Sequence, residues 1–516
     1  MCEIFMSVRD CSESISTYSE EVVKIDNPAV LGMGQRFKFL ARDLTMYGGA
    51  AAISKGFALI TFPLLARHFS VAEYGVLDYF LVLAGFLATM SIFGQDSAVA
   101  RFFYEYEETS ERRQVISQSL VFQLIFLALL LAILWLGAER LVNLLIEAPN
   151  RLTFFKIVLL QLPFYLLINF SQNILKWTFA RARFLTMSLG FSTVQVSLLV
   201  IAVLIFDAGI RGVLLVSLTV SIAFGCLGLF FVRKWLVRPK DYRRLREMLP
   251  FAIPYGAICV MGAFSPAMER TLTNSLLGTE QLGLYAAAAK IAMIIMLVAS
   301  AFQTAWGPFS LSLYKQPDAA RTYNWVLKLF ALGMCAFALI LTLLAEPLIR
   351  FLATARYSGA VCAVFPLVMG LAIQAISWIT EIGIGISKRS YLSLYSHTTF
   401  IVSTLVGIGL LAPTFGILGV GLGVLLGQAA KTLITSWLAQ RAYPLPWHYT
   451  PVIGLVTSTL LSGFASTWLG RLYGPLVYHI GLIVGLFIIL LLGWSVLLDE
   501  TERVQILSFI RKRLVA

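Results

Sequence analysis

Charged side chains stand where a chain this apolar has little room for them. Lys55, Glu269, Arg270, Lys290 and Glu381 fall inside segments long and apolar enough to cross a bilayer, and Asp78 lies near the end of one, interfacial or paired. A charge at that depth costs about 3 kcal/mol or more, so it marks a ligand, an ion path or a partner of opposite sign. The six divide by chemistry. Lys55, Arg270 and Lys290 can hold an anionic ligand, and the planar fork of Arg270 offers two parallel hydrogen bonds to an oxyanion. Glu269, Glu381 and Asp78 can carry a coupling ion or close a gate by pairing with a cation.

Each position has two readings. Lys55 lies about ten residues into its segment, roughly 15 Å from either interface. It either lines a cavity or bridges to a buried carboxylate such as Asp78 or Asp96. Lys290 follows four alanines, a small-residue setting that suits a cavity wall or a close helix contact, and its long stem also reaches toward the interface. Glu269 and Arg270 are neighbours, so they point about 100° apart on a helix and need separate partners. They serve a ligand and a coupling proton, or they close the molecule as a salt bridge between its halves. Glu381, six residues from a segment end and followed by Lys388 and Arg389, is an ion-coupling carboxylate or a gate pair.

Nothing else in the chain offers covalent chemistry. The six cysteines show no CxxC spacing, and four lie in apolar segments where Cys behaves as a small hydrophobe. None of the four histidines has a ligand three or four residues away, so no metal site is expected. There is no Walker A, G-x-S-x-G or H-E-x-x-H pattern. We therefore expect no enzyme, no cofactor and no ATP-driven pump within this chain.

Composition says what positions these residues. The chain has 516 residues, 59% hydrophobic and 13% charged, with a mean hydropathy of +0.83. Soluble domains carry roughly 25% charge. Long apolar runs containing Gly and Pro indicate an all-α integral membrane bundle, not a barrel of short alternating strands. Windows of about 20 residues predict fourteen spans, including 250–274 and 281–306 in mid-chain. The formal charge of +13 reads as loop charge and not as a nucleic-acid surface. Arg and Lys gather in alternate loops, above all from Arg233 to Arg246, which places both termini in the cytoplasm. Residues 1–44 lack the order of a signal peptide and read as a cytoplasmic tail. Residues 45–240 hold spans 1–6, 241–445 hold spans 7–12, 446–498 hold spans 13 and 14, and 499–516 form an amphipathic cytoplasmic tail. Trp306, Trp378 and Trp437, near span ends, read as interfacial belt residues.

The two blocks of six spans are copies. With a shift of 208, Glu73-Tyr74-Gly75-Val76 falls on Gln281-Leu282-Gly283-Leu284 and Gln95 on Gln303. With a shift of 207, Gly209-Ile210 falls on Gly416-Ile417 and Arg181 on Lys388. An even number of spans per copy gives both the same orientation, with an axis along the membrane normal. Two such lobes around a central site are the architecture of an alternating-access transporter.

The stretch Phe62-Pro63-Leu64-Leu65-Ala66-Arg67-His68-Phe69, then Glu73-Tyr74-Gly75, Gly94 and Ala100-Arg101, resembles the opening spans of Wzx-like oligosaccharide flippases. These belong to the multidrug/oligosaccharidyl-lipid/polysaccharide superfamily. Glu269-Arg270, then Leu276-Leu277-Gly278, Leu282-Gly283-Leu284-Tyr285 and Lys290, resembles the start of their second lobe, with Glu269 where that family more often has Asp. The resemblance spans about residues 40–440. It implies a multi-pass protein of the bacterial inner membrane that flips polyprenyl-diphosphate-linked oligosaccharides. Its partners would be the lipid-linked glycan, membrane lipids and glycan polymerase or glycosyltransferase machinery, with no nucleic acid, and the chain would act as a monomer. On the residue readings above, Lys55, Arg270 and Lys290 would capture the diphosphate, and Glu269, Glu381 and Asp78 would couple or gate. A lipid II flippase for peptidoglycan and an ion-coupled multidrug antiporter share the same frame. A glycan polymerase or ligase needs a large outside loop, and every predicted outside loop is short.

Overall fold

A computed structural model describes residues 49–497 apart from Glu107, residues 314–318, Lys388 and Ser390. The side chains of residues 49–55, 58, 59, 304, 305, 307–309, 311–313, 496 and 497 lie outside the description. Both predicted tails, 1–44 and 499–516, lie outside the described residues.

Every described element is helical. The first half runs α1 Gly49–His68, α2 Val71–Ile92, α3 Gln95–Glu105, α4 Thr109–Leu136, α5 Ala138–Leu145, α6 Arg151–Trp177, α7 Arg181–Leu204 and α8 Ile210–Val232. The second runs α9 Arg243–Ala292, α10 Ile294–Leu313, α11 Ala319–Leu343, α12 Ala345–Leu352, α13 Val361–Thr380, α14 Ile382–Ser387, α15 Leu392–Phe415 and α16 Ile417–Ala442. Two more helices follow, α17 Tyr449–Tyr473 and α18 Pro475–Leu492, packed against α11. Among the described residues, 12 helical stretches have the length and hydropathy to span a membrane. One of them, Arg243–Gln303, is 61 residues long, enough for two spans separated by the break at Gly278. With α1, this accounts for the fourteen spans expected.

The sequence places a short connection at 276–284. The chain instead stays helical up to and beyond Gly278, which alone leaves helical geometry at φ 85°, ψ 174°. That conformation suits glycine, which carries no Cβ to clash. A second unpredicted break falls at Phe93-Gly94, both left-handed, where α2 passes into α3. The two-residue turn before α2 is held by a capping box. The Glu73 N–H donates to Ser70 Oγ at 3.2 Å, and the Ser70 N–H donates to Glu73 Oε2 at 3.0 Å.

The repeat is visible helix by helix. α8 and α16 both start after a glycine cap, Gly209 and Gly416. The short α5 and α12, which we did not expect from hydropathy, begin 207 residues apart with related sequences, AERLVNLL and AEPLIRFL.

Packing within and between the halves relies on small residues. Lipid tails are as apolar as Leu, so close backbone approach does the work that the hydrophobic effect does in water. Gly419, Gly423 and Gly427 line the α16 face against α15. Between the halves, α2 runs antiparallel to the segment of α9 before Gly278 and also touches the segment after it. Gly75 touches the backbone of Gly283 near one end, Gly94 touches that of Gly256 at the other, and the Phe86 and Phe264 rings meet between them at 5.6 Å. Gly75 and Gly283 are equivalent positions of the two copies, so this contact lies on the relating axis. Trp306 departs from the belt expectation, being 5% exposed and stacked on Phe302, whereas Trp437 is 49% exposed.

A Cβ at Gly283 would collide with the Val71 backbone, which cannot move aside cheaply, while a Cβ at Gly262 meets nothing. Gly283→Ala should therefore destabilise the protein by about 1–3 kcal/mol, and Gly262→Ala should stabilise it by about 0.5–1 kcal/mol. Thermal unfolding of the purified variants in detergent measures both.

Candidate functional site

One carboxylate gathers the charges of the lobe seam. Asp78 sits on α2, one turn beyond Gly75, and its carboxylate is 1% exposed. Arg270, from the α9 segment before Gly278, donates from Nε to Asp78 Oδ2 at 2.6 Å. Lys290, from the segment after Gly278, places Nζ 3.2 Å from Asp78 Oδ1. The first half thus supplies the anion and the second supplies both cations. The break at Gly278 makes this possible, since it folds the two segments of α9 back on each other so that both reach Asp78.

The surroundings over-determine Arg270. Its Nη1 donates to the Pro266 carbonyl at 3.1 Å, and its guanidinium lies 5.6 Å from the centre of the Tyr285 ring. Glu269 points elsewhere, as adjacent helical residues must. It accepts from Ser265 Oγ at 2.9 Å and from the Tyr285 hydroxyl at 2.7 Å. Tyr285 therefore touches both members of the Glu269-Arg270 pair. Beside them, the Tyr79 and Thr271 hydroxyls meet across the seam at 3.2 Å.

Exposure separates the members. The Asp78 and Arg270 side chains are 1% and 5% exposed, and Glu269 is 7% exposed, but the Lys290 side chain is 26% exposed. Lys290 is the most exposed member of the cluster.

The remaining candidates lie apart. Glu381 caps α13 in the second half, where it accepts from Ser393 Oγ at 3.3 Å and lies within reach of the charge on Lys431. Lys431 is buried on α16 with its ammonium 5.7 Å from the Phe400 ring centre. The Lys55 side chain lies outside the described residues, although its backbone belongs to α1. Among the described residues no group of three His, Cys, Asp or Glu could hold a metal.

Sequence reasoning missed a second seam cluster at the end of α9 opposite Gly278. Arg244 donates to Glu111 Oε2, from Nε at 2.7 Å and from Nη2 at 2.6 Å. The Tyr106 hydroxyl donates to Glu247 Oε2 at 2.9 Å, and Arg112 Nε donates to the Tyr106 carbonyl at 2.7 Å. These residues were visible only as loop charge, and nothing in the local pattern pairs Glu111 with a residue 133 positions away. At the other end, Arg67 Nη2 donates to the Phe351 carbonyl at 2.5 Å and the Tyr74 and Tyr357 rings meet edge to face.

The family model for polysaccharide biosynthesis proteins matches residues 40–314. No curated protein matches the sequence. Among solved structures the chain is similar to the lipid II flippase MurJ in an inward closed conformation, with 16% identity and a TM-score of 0.65 over 87% of this chain and 98% of that one. It is similar also to an inward-facing multidrug resistance MATE family transporter of the MOP superfamily, with 14% identity and a TM-score of 0.61 over 75% and 94%. A point mutant of the Vibrio cholerae MATE transporter VcmN aligns at 17% identity and a TM-score of 0.54 over 79% and 96%. At such identities the likeness shows a shared fold.

Removing Asp78 leaves two cations facing each other at membrane depth. Asp78→Asn should cost about 3–5 kcal/mol, the penalty of a buried charge that loses its partner. Asp78→Asn with Arg270→Gln should lose less than the sum of the single changes. Unfolding of the three variants in detergent gives the coupling, and additive losses would deny that the pair acts as a unit.

Proposed function

Because the chain belongs to the polysaccharide biosynthesis protein family, we propose that it flips a polyprenyl-diphosphate-linked oligosaccharide across the bacterial inner membrane. The coarser statement is direct: this is a multi-pass membrane protein with the fold of flippases and transporters. The observation that carries the finer one is the lobe seam, where two cations share one carboxylate and one of them, Lys290, keeps about a quarter of its side chain exposed.

The proposed cycle uses these groups in order. An anionic diphosphate enters between the lobes and meets Lys290, together with Lys55 on α1. Separation of α2 from α9 breaks the Asp78–Arg270 contact and frees the Arg270 fork for the same anion. Glu269, or Glu381 in the second half, carries a coupling ion, with Asp78 as the gate that re-forms when the anion leaves. The polyprenyl tail stays in lipid along α17 and α18. The work is binding and rocking with no covalent step, so we assign no enzymatic activity. Both termini lie in the cytoplasm on this reading, and glycosyltransferases supply the substrate while a glycan polymerase consumes it.

The test is surface glycan display in a cell that depends on this chain. Lys290→Gln and Lys55→Gln should each reduce display roughly ten- to hundredfold at matched protein level, as expected for one lost charge-assisted contact. Full display by both would sink the anionic-head reading. Loss of peptidoglycan synthesis in place of surface glycan would assign the chain to lipid II instead.

A further inference from the structure

Two apolar grooves flank a single ridge on the lipid-facing side of the second half. We propose that they hold the two chains of one anionic phospholipid. The ridge is a line on α16 at helical spacing: Leu433, Trp437 and Arg441. Leu433 is 69% exposed and Trp437 is 49% exposed. The Arg441 guanidinium carbon sits 4.0 Å from the centre of the Trp437 ring and so is stacked in place.

The first groove, of 540 Å³, lies between α16 and α17 over α13, with Ile376, Leu433, Ser436, Ile453 and Val456 among its walls. The second, of 580 Å³, lies between α15 and α16 and is lined by Tyr395, Val402, Ile434 and Leu438 among others. Trp437 lines both. Each is within the roughly 300–1,000 Å³ of ligand pockets.

Geometry and charge choose the occupant. Two grooves that share the Trp437 wall, with Arg441 stacked on that ring, fit two chains joined at one head group, and a single-chain polyprenol would fill one groove and leave the other. The sequence holds no Asp or Glu from Ile382 to Leu498. Arg389 and Arg441 stand at one end of the bundle, where α14 and α16 end and α15 and α17 begin. Tyr391 and Tyr395, 52% and 60% exposed, add an aromatic edge at the same end. Basic sites between helices at a membrane surface hold anionic head groups. Arg441 would take the phosphate while Trp437 parts the chains. The site does not depend on what the transporter carries.

The test uses the full chain, purified and delipidated, and native mass spectrometry. Dioleoylphosphatidylglycerol, dioleoylphosphatidylcholine and undecaprenyl phosphate are titrated separately and in competition. We expect one phosphatidylglycerol per chain, held about fivefold or more tightly than phosphatidylcholine. Arg441→Gln should loosen it by about the same factor and Trp437→Ala should loosen it as well, whereas Arg471→Gln at the other end of α17 should leave it unchanged. Because Arg441 is exposed, its variant tests the site even where Trp437→Ala lowers stability. Equal retention of the two phospholipids, or an unchanged Arg441→Gln, overturns the proposal. So does undecaprenyl phosphate displacing phosphatidylglycerol, which would return the grooves to the substrate's tail.

Discussion

An acid and two bases at membrane depth set the terms for this molecule. Asp78 would be costly alone in hydrocarbon, and so would Arg270 or Lys290. Together they satisfy one another only while α2 lies against both segments of α9. The contact that makes the charges tolerable is therefore also a contact between the two halves. It constrains the backbone in turn. α9 must reverse at Gly278 to deliver Arg270 and Lys290 to one carboxylate, and α2 must approach closely enough that Gly75 and Gly283 touch. A bulkier residue at either glycine would push the helices apart and lengthen the ion pairs. Packing and electrostatics are thus one constraint on this seam.

The seam is symmetric in backbone and asymmetric in charge. Gly75 and Gly283 are equivalent positions of the repeat and meet each other. The positions equivalent to Asp78 and Arg270 are Ala286 and Phe62, which are buried and apolar. Lys290 is matched by Val82 and Lys55 by Ala263. A structural bridge that served only to join two copies could occur twice around the axis. Here the Asp78–Arg270–Lys290 network is made once, and the positions equivalent to its members are apolar. Such polarity suits a task with one direction or one ligand, which a symmetric seam would have to meet by other means.

Much of this was legible in the sequence, because the membrane simplifies the reading. Composition and window length gave the helical class and the span count. The offset near 207 gave the two copies, down to the glycines that cap α8 and α16. The charged residues were conspicuous, since a bilayer leaves few places for them. Their pairing was not legible. Arg270 and Asp78 lie 192 positions apart and join only because α2 runs antiparallel to the segment of α9 before Gly278. The short α5 and α12 escaped because eight residues are too few for a hydropathy window, although their shared Ala-Glu-x-Leu pattern lies in plain view. The Arg244–Glu111 cluster escaped because charged loop residues pair in too many ways for sequence to choose.

The seam also links opening to capture on the reading proposed here. Separating α2 from α9 would strip Arg270 of Asp78 at a depth where an unpaired guanidinium is costly, which favours the closed state when no anion is present. A diphosphate arriving at Lys290 supplies the missing negative charge, with oxygens that fit the guanidinium fork. The cost of opening falls when ligand is bound and returns when ligand departs. A ligand shifts a conformational equilibrium only by its differential affinity for the two states, and here the source of that difference is specific. The closed state already satisfies Arg270 with Asp78, and only the open state leaves it for the substrate. Glu269, held by Ser265 and Tyr285 one residue from Arg270, stands where a proton gained or lost would alter that balance through the ring both residues touch. On that reading, the carboxylate that joins the closed halves would also make their opening depend on an anion.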